Sequence, residues 1–86
     1  MDRSSKVKMY TLSTCSHCKA AKQLMEKLGV EYEYTDVDLL EGEKRRQAIE
    51  DVRKVNQRLS FPTIVIGDTV IVGNNADEIR KALGVS

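Results

Sequence analysis

Phe61-Pro62-Thr63-Ile64-Val65-Ile66-Gly67-Asp68-Thr69-Val70-Ile71-Val72-Gly73 is the stretch on which the fold turns. Two β-branched runs, residues 63–66 and 69–72, flank the pair Gly67-Asp68. That pattern is the signature of a tight β-hairpin, with Gly67 free to take the positive φ such turns require. A two-residue turn makes the pairing antiparallel. Upstream, Asn56 to Phe61 reads as a loop closed by Pro62, a residue tolerated at the first position of a strand. Downstream, Gly73-Asn74-Asn75 ends the hairpin, and a short helix carries Ile79, Ala82 and Leu83 inward before Gly84.

Toward the N-terminus, residues 6–12 (Lys-Val-Lys-Met-Tyr-Thr-Leu) read as an opening strand. Ser13 and Thr14 are good helix-starting residues. Ala20, Ala21, Leu24, Met25 and Leu28 recur at helical spacing, and Gly29 stops the helix. Glu31 to Val37 forms a second strand with Tyr32 and Tyr34 on one face. Asp36, Asp38, Glu41 and Glu43 lead into a second helix, where acidic groups suit the positive end of the dipole. Its apolar stripe is Ala48, Ile49, Val52 and Val55. The order is β-α-β-α-β-β-α. A strand-helix-strand unit pairs in parallel, so the expected α/β fold is a mixed four-stranded sheet with three flanking helices on its two faces.

The chain has 86 residues, 41% hydrophobic and 31% charged, with no tryptophan. A chain of this size buries only about 60–65% of its unfolded surface, which implies one domain over residues 1–86, its first five residues disordered. Fourteen Lys plus Arg against thirteen Asp plus Glu give a net charge of +1. That balance offers no argument for nucleic acid or an acidic membrane surface. Lys19, Lys22 and Lys27, like Lys44, Arg45 and Arg46, read as solvated helix faces. No apolar stretch suits a signal peptide or a membrane helix, so the expected compartment is the cytoplasm. The expected state is a monomer.

In that compartment thiols are kept reduced, and the chain has two cysteines, in the run Thr14-Cys15-Ser16-His17-Cys18. Two intervening residues at a helix start put both sulfurs on one turn, with α-carbons about 5–6 Å apart, the geometry of a disulfide. Closing so short a loop contributes only about 2 kcal/mol by the chain-entropy estimate, a weak staple. Making and breaking the bridge explains the pair better. Cys15 is expected to be the nucleophile, since helix N-terminal amides stabilise a thiolate, and Cys18, a turn further in, the resolving thiol. A shift from pKa ~8.5 to ~6 raises the thiolate fraction ~30-fold, and lower nucleophilicity offsets about tenfold of it. The larger gain is a better leaving group, so Cys15 is expected to exchange readily.

His17 has two readings: an imidazole that stabilises the neighbouring thiolate, or an exposed polar residue turned away from it. Ser16 and Thr14 complete the group flanking the sulfurs. Zinc requires three or four ligands, and two cysteines with a histidine between them do not supply them, so no metal site is expected within one chain. A cluster shared by two chains, two thiolates from each, stays open as an alternative.

Together, Met9-Tyr10-Thr11, Cys15-Ser16-His17-Cys18, Phe61-Pro62-Thr63 and Val72-Gly73 resemble the glutaredoxin family, the compact branch of the thioredoxin fold. The resemblance spans Val7 to Leu83. It implies a thioredoxin fold, a cis Phe61–Pro62 bond beside the nucleophile, and a Phe61 backbone that pairs with an extended substrate. It further implies a substrate or glutathione surface of Phe61, Pro62, Thr63, Gly73, Asn74, Asn75 and Asp77. Asp77 as a plain helix cap is the other reading of that residue. Leu12 stands where many members have lysine, Ser16-His17 where they have Pro-Tyr, and Gly73-Asn74 where they have Gly-Gly. The implied activity is dithiol–disulfide exchange on disulfide-containing proteins or glutathione mixed disulfides. The resemblance implies no tightly bound cofactor, and glutathione as the expected co-substrate. The alternatives are an NrdH-like redoxin reduced by a thioredoxin-reductase-type flavoprotein, and a non-catalytic dimeric iron–sulfur or metal-binding module.

Overall fold

A computed structural model describes residues 7–84, so the expectation of disorder at residues 1–5 lies outside the described residues. The elements are β1 (Val7–Thr11), α1 (Ser16–Lys27), β2 (Glu33–Asp36), a 3-10 turn (Val37–Leu39), α2 (Gly42–Val55), β3 (Thr63–Ile66), β4 (Thr69–Val72) and α3 (Ala76–Leu83). The strands lie in the order β2-β1-β3-β4. β1 runs parallel to β2 and antiparallel to β3, and β3 is antiparallel to β4. This is the mixed sheet with three helices that the element order implies.

Alternation along the strands splits the interior into two layers. Val7 and Met9 of β1 pack with Ile64, Ile66 and Ile71 of the hairpin, Ala21 and Met25 of α1, and Ile79 of α3. Tyr10, on the opposite face, packs with Val37 and with Ala48 and Val52 of α2. The sheet is thus covered by α1 and α3 on one face and by α2 on the other. Coverage by α2 is partial, since Val70 and Val72 of β4 are 37% and 47% exposed.

Helix α1 ends with a paired closure: Gly29 N–H donates to Glu26 C=O at 3.1 Å and Val30 N–H to Met25 C=O at 3.0 Å. Gly29 has φ +72°, which a glycine adopts without a Cβ clash. Those bonds occupy the residues just after the helix, so β2 starts at Glu33 and not at Glu31. In α2 the expected inward Val55 is 41% exposed. The buried series at every fourth residue is Ala48, Val52 and then Asn56, which is 7% exposed. The chain leaves the helix at that point, and Asn56 takes the inward position.

Candidate active site

Because β1 and β4 end where β3 begins, and β2 runs parallel to β1, four connecting segments meet at one end of the sheet. They are residues 12–15 after β1, 37–41 after β2, 56–62 before β3, and 73–75 after β4. Every site residue expected from sequence lies in one of these segments, at a strand end beside one, or in the first turn of α1 or α3.

Cys15, not Ser13 or Thr14, caps α1. Its sulfur accepts the Cys18 N–H at 3.3 Å, and its own N–H donates to Leu12 C=O at 3.2 Å. Ser13 faces elsewhere: its N–H donates to Asp38 Oδ1 at 2.8 Å and its hydroxyl to Asp38 Oδ2. The loop before α1 is therefore pinned to the turn after β2. These Ser13 bonds, the hydroxyl's foremost, hold the Asp38 carboxyl below its ordinary value, with Arg45 adding to the effect. Asp38 thus serves the loop before α1, not the dipole of α2, and Asp36 likewise has partners outside α2.

The two cysteines are unbridged, Cys15 half-buried and Cys18 fully buried. Burial, reinforced by its neighbour Cys15, pushes the Cys18 thiol up to about 12, against opposing pulls from a Leu12 backbone hydrogen bond and from Lys22. Thr14, Ser16 and His17 are exposed. Among the described residues, no hydrogen bond joins His17 to either sulfur.

Lys22 is not the solvated residue its spacing suggests. Its side chain is 19% exposed, and Nζ lies 3.3 Å from Asp36 Oδ1 and 3.9 Å from the Tyr34 ring centroid. Asp36 also accepts the hydroxyl of Thr11, a fully buried residue. Thr11 and Asp36 are direct partners in the β1–β2 register.

The Phe61–Pro62 peptide bond is cis. Pro62 and Thr63 are buried, and Pro62 C=O accepts the Gly73 N–H at 2.8 Å. That bond holds Gly73 and Asn74 against the start of β3. The Phe61 side chain packs into the α2 layer with Leu59 and Leu12. Leu59 has φ +54°, a strained conformation for leucine. The loop is fastened by Asn56, whose Nδ2 donates to Ser60 C=O, Ser60 Oγ and Thr63 Oγ1, the last at 3.0 Å. Asn56 Oδ1 accepts the Arg58 N–H. At α3 the cap is Asn75, not Asp77: Asn75 Oδ1 accepts the Glu78 N–H at 3.3 Å. Asp77 is exposed in the first turn.

Asp38, Lys22, Asp36 and Asn56 escape a reading by sequence spacing. One signal was available: Lys22 follows Cys18 by four residues, the spacing that places two side chains on one helix face. Among the described residues, no group of three or more His, Cys, Asp or Glu side chains is placed to hold a metal ion. No described helix is long and apolar enough to cross a membrane.

Residues 7–71 match the family model for glutaredoxin, and the chain belongs to that family. Crystalline methanoredoxin of Methanosarcina acetivorans is 48% identical and superposes with a TM-score of 0.88, over 92% of this chain and 84% of that one. A glutaredoxin-like 8.6 kDa protein of the Clostridium pasteurianum rubredoxin operon is 30% identical, over 90% of this chain and 96% of its own length. The NrdH-redoxin of Escherichia coli, a glutaredoxin-like protein with a thioredoxin-like activity profile, is 29% identical with a TM-score of 0.74, over 88% and 92%. The fold is the thioredoxin fold.

Proposed function

We propose that the protein is a dithiol–disulfide oxidoreductase acting on disulfide-containing proteins or glutathione mixed disulfides through Cys15 and Cys18. One observation carries this reading: a half-buried sulfur caps α1 and receives the Cys18 N–H, with the second thiol buried one turn behind it. An N–H aimed at sulfur is the contact a thiolate accepts best. As thiolate, Cys15 attacks a substrate disulfide RS–SR′. The S–S bond breaks, R′S⁻ departs, and a Cys15–SR mixed disulfide forms. Cys18 then gives up its proton and attacks the Cys15 sulfur. RS⁻ leaves with the electron pair, and the Cys15–Cys18 disulfide closes. Two electrons have passed to the substrate, and a reductant returns them with two protons.

In this cycle no metal or organic cofactor is resident. Phe61 commits its side chain to the α2 layer, which leaves its backbone, beside Pro62, to pair with an extended substrate. The chain works as a monomer in a reducing compartment such as the cytoplasm. Cys15→Ser abolishes exchange, while Cys18→Ser accumulates a mixed disulfide on Cys15, visible by intact mass. Full dithiol activity in the Cys15 variant overturns the assignment.

For the reductant, one observation favours an NrdH-like redoxin over a glutathione-dependent protein. The first turn of α3 is where the resemblance seats a carboxylate of glutathione. Here Asn75 already occupies the Glu78 N–H, and Asp77 and Glu78 add negative charge. Negative charge at a helix N-terminus offsets the attraction it offers an incoming anion. Turnover with glutathione, against turnover with a thioredoxin-reductase-type flavoprotein as sole electron source, decides between them. Visible cluster bands in protein purified without oxygen would instead point to the dimeric iron–sulfur module.

A further inference from the structure

Lys22 follows Cys18 by four residues on α1, which brings their Cβ atoms to about 5–6 Å. Its ammonium is fixed from two sides, by Asp36 Oδ1 at 3.3 Å and by the Tyr34 ring centroid at 3.9 Å. Asp36 is itself tied to the buried Thr11. Three residues on two strands thus fix one lysine a helical turn along α1 from the resolving thiol. Cys18 is fully buried, and a buried thiol resists ionising.

Among the charges near Cys18, that of Cys15 opposes its ionisation and that of Lys22 favours it. Asp36 and Tyr34, from β2, act on it through Lys22, whereas β3 and α3 bring the apolar Ile64 and Ile79 to this layer. Once substrate is attached to Cys15, that sulfur carries no charge and its repulsion of a Cys18 thiolate ends. What then opposes burial is the Leu12 backbone hydrogen bond and the charge of Lys22.

We propose that Lys22, held by Asp36 and Tyr34, stabilises the Cys18 thiolate as it forms and so governs the resolving half-reaction without governing the capture of substrate by Cys15. This rests on Cys15 as nucleophile and Cys18 as resolver. In the step concerned, the Cys18 S–H bond breaks and its proton passes to solvent or to the departing RS⁻. The Cys18 sulfur bonds to the Cys15 sulfur, and the Cys15–SR bond breaks with its electron pair going to R. Lys22 takes no proton.

Reduced protein mixed with 5,5′-dithiobis(2-nitrobenzoate) separates the two half-reactions, because each releases one coloured thiolate. The first release reports attack by Cys15 and the second attack by Cys18. At charge separations of about 6–12 Å and an effective dielectric near 20, loss of one charge is worth about tenfold to a hundredfold in the thiolate equilibrium. Lys22→Met is expected to leave the first phase within about twofold, slow the second about tenfold, and move its pH profile upward by about one unit. Lys22→Arg is expected to restore both the rate and the profile. The intact first phase certifies that the variant is folded. An unchanged second phase and pH profile in Lys22→Met, or equal slowing of both phases, overturns the proposal. A normal first phase in Cys15→Ser would instead overturn the role assignment itself, and this proposal with it.

Discussion

The Cys18 N–H points at the Cys15 sulfur from 3.3 Å, so the two residues assigned to electron exchange also form the cap of one helix. Reactivity and helix stability share an atom. Cys15→Ser keeps an N-cap acceptor and Cys15→Ala removes it, at a typical cost of about 1 kcal/mol. The expected outcome is that both variants are inactive, while only the alanine variant loses stability, by about 1 kcal/mol in urea unfolding of the reduced proteins.

Asp38 joins the turn after β2 to Ser13, two residues before Cys15. Its pKa in the folded protein lies below the ordinary 3.8, chiefly through the Ser13 hydroxyl and then the Ser13 N–H. A depressed carboxyl pKa adds stability that is complete above that ordinary, unfolded-state value and is lost as pH falls through the folded one. The wild type is therefore expected to exceed Asp38→Asn in thermal stability at neutral pH. The gap should close below about pH 4. A gap that widens in acid contradicts the assignment.

Asn56 anchors the loop that ends in Phe61 and Pro62. Asn56→Ala strands the buried Thr63 hydroxyl environment without its donor, a loss of about 1–3 kcal/mol. Because the loop is the proposed substrate-pairing edge, KM for a protein disulfide is expected to rise more than kcat falls. Equal kcat and KM in a destabilised variant would show that Asn56 holds the fold alone.

Neutralising the first turn of α3 with Asp77→Asn and Glu78→Gln removes two negative charges from the helix end proposed to meet a glutathione carboxylate. Each is worth about 0.3–1 kcal/mol at a helix end. Glutathione-dependent turnover is expected to rise severalfold, with less change when a flavoprotein is the electron source. A steady-state assay at low salt checks this, and the gain should fade as salt is added.

What was legible in the sequence was local. The Gly67-Asp68 turn between two β-branched runs places β3 and β4 to the residue, and Gly29 marks the end of α1 because both signals act within a few residues. The Cys15–Cys18 pair is legible for the same reason. Asp36 and Asp38 were assigned to the dipole of α2 because that helix is their neighbour along the chain. Their actual partners, Thr11 with Lys22 and Ser13, arrive through the parallel pairing of β1 with β2, in which Thr11 lies against Asp36. Spacing within one helix could not show that Lys22 bends toward a strand. Asn56 was hidden similarly: a polar residue after a helix reads as loop, and only the continuation of the Ala48 and Val52 series turns it inward.

The Gly67-Asp68 turn is exposed and lies at the end of the sheet opposite Cys15, Pro62 and Gly73. The molecule therefore has a reactive pole and an idle one. Residues grafted at the idle pole extend a hairpin whose register is already set by four cross-strand pairs between β3 and β4. A short flexible insertion there, carrying a fluorophore or a surface tether, leaves the Cys15 end of the sheet turned to free solution, which makes this turn the natural handle for immobilising the protein.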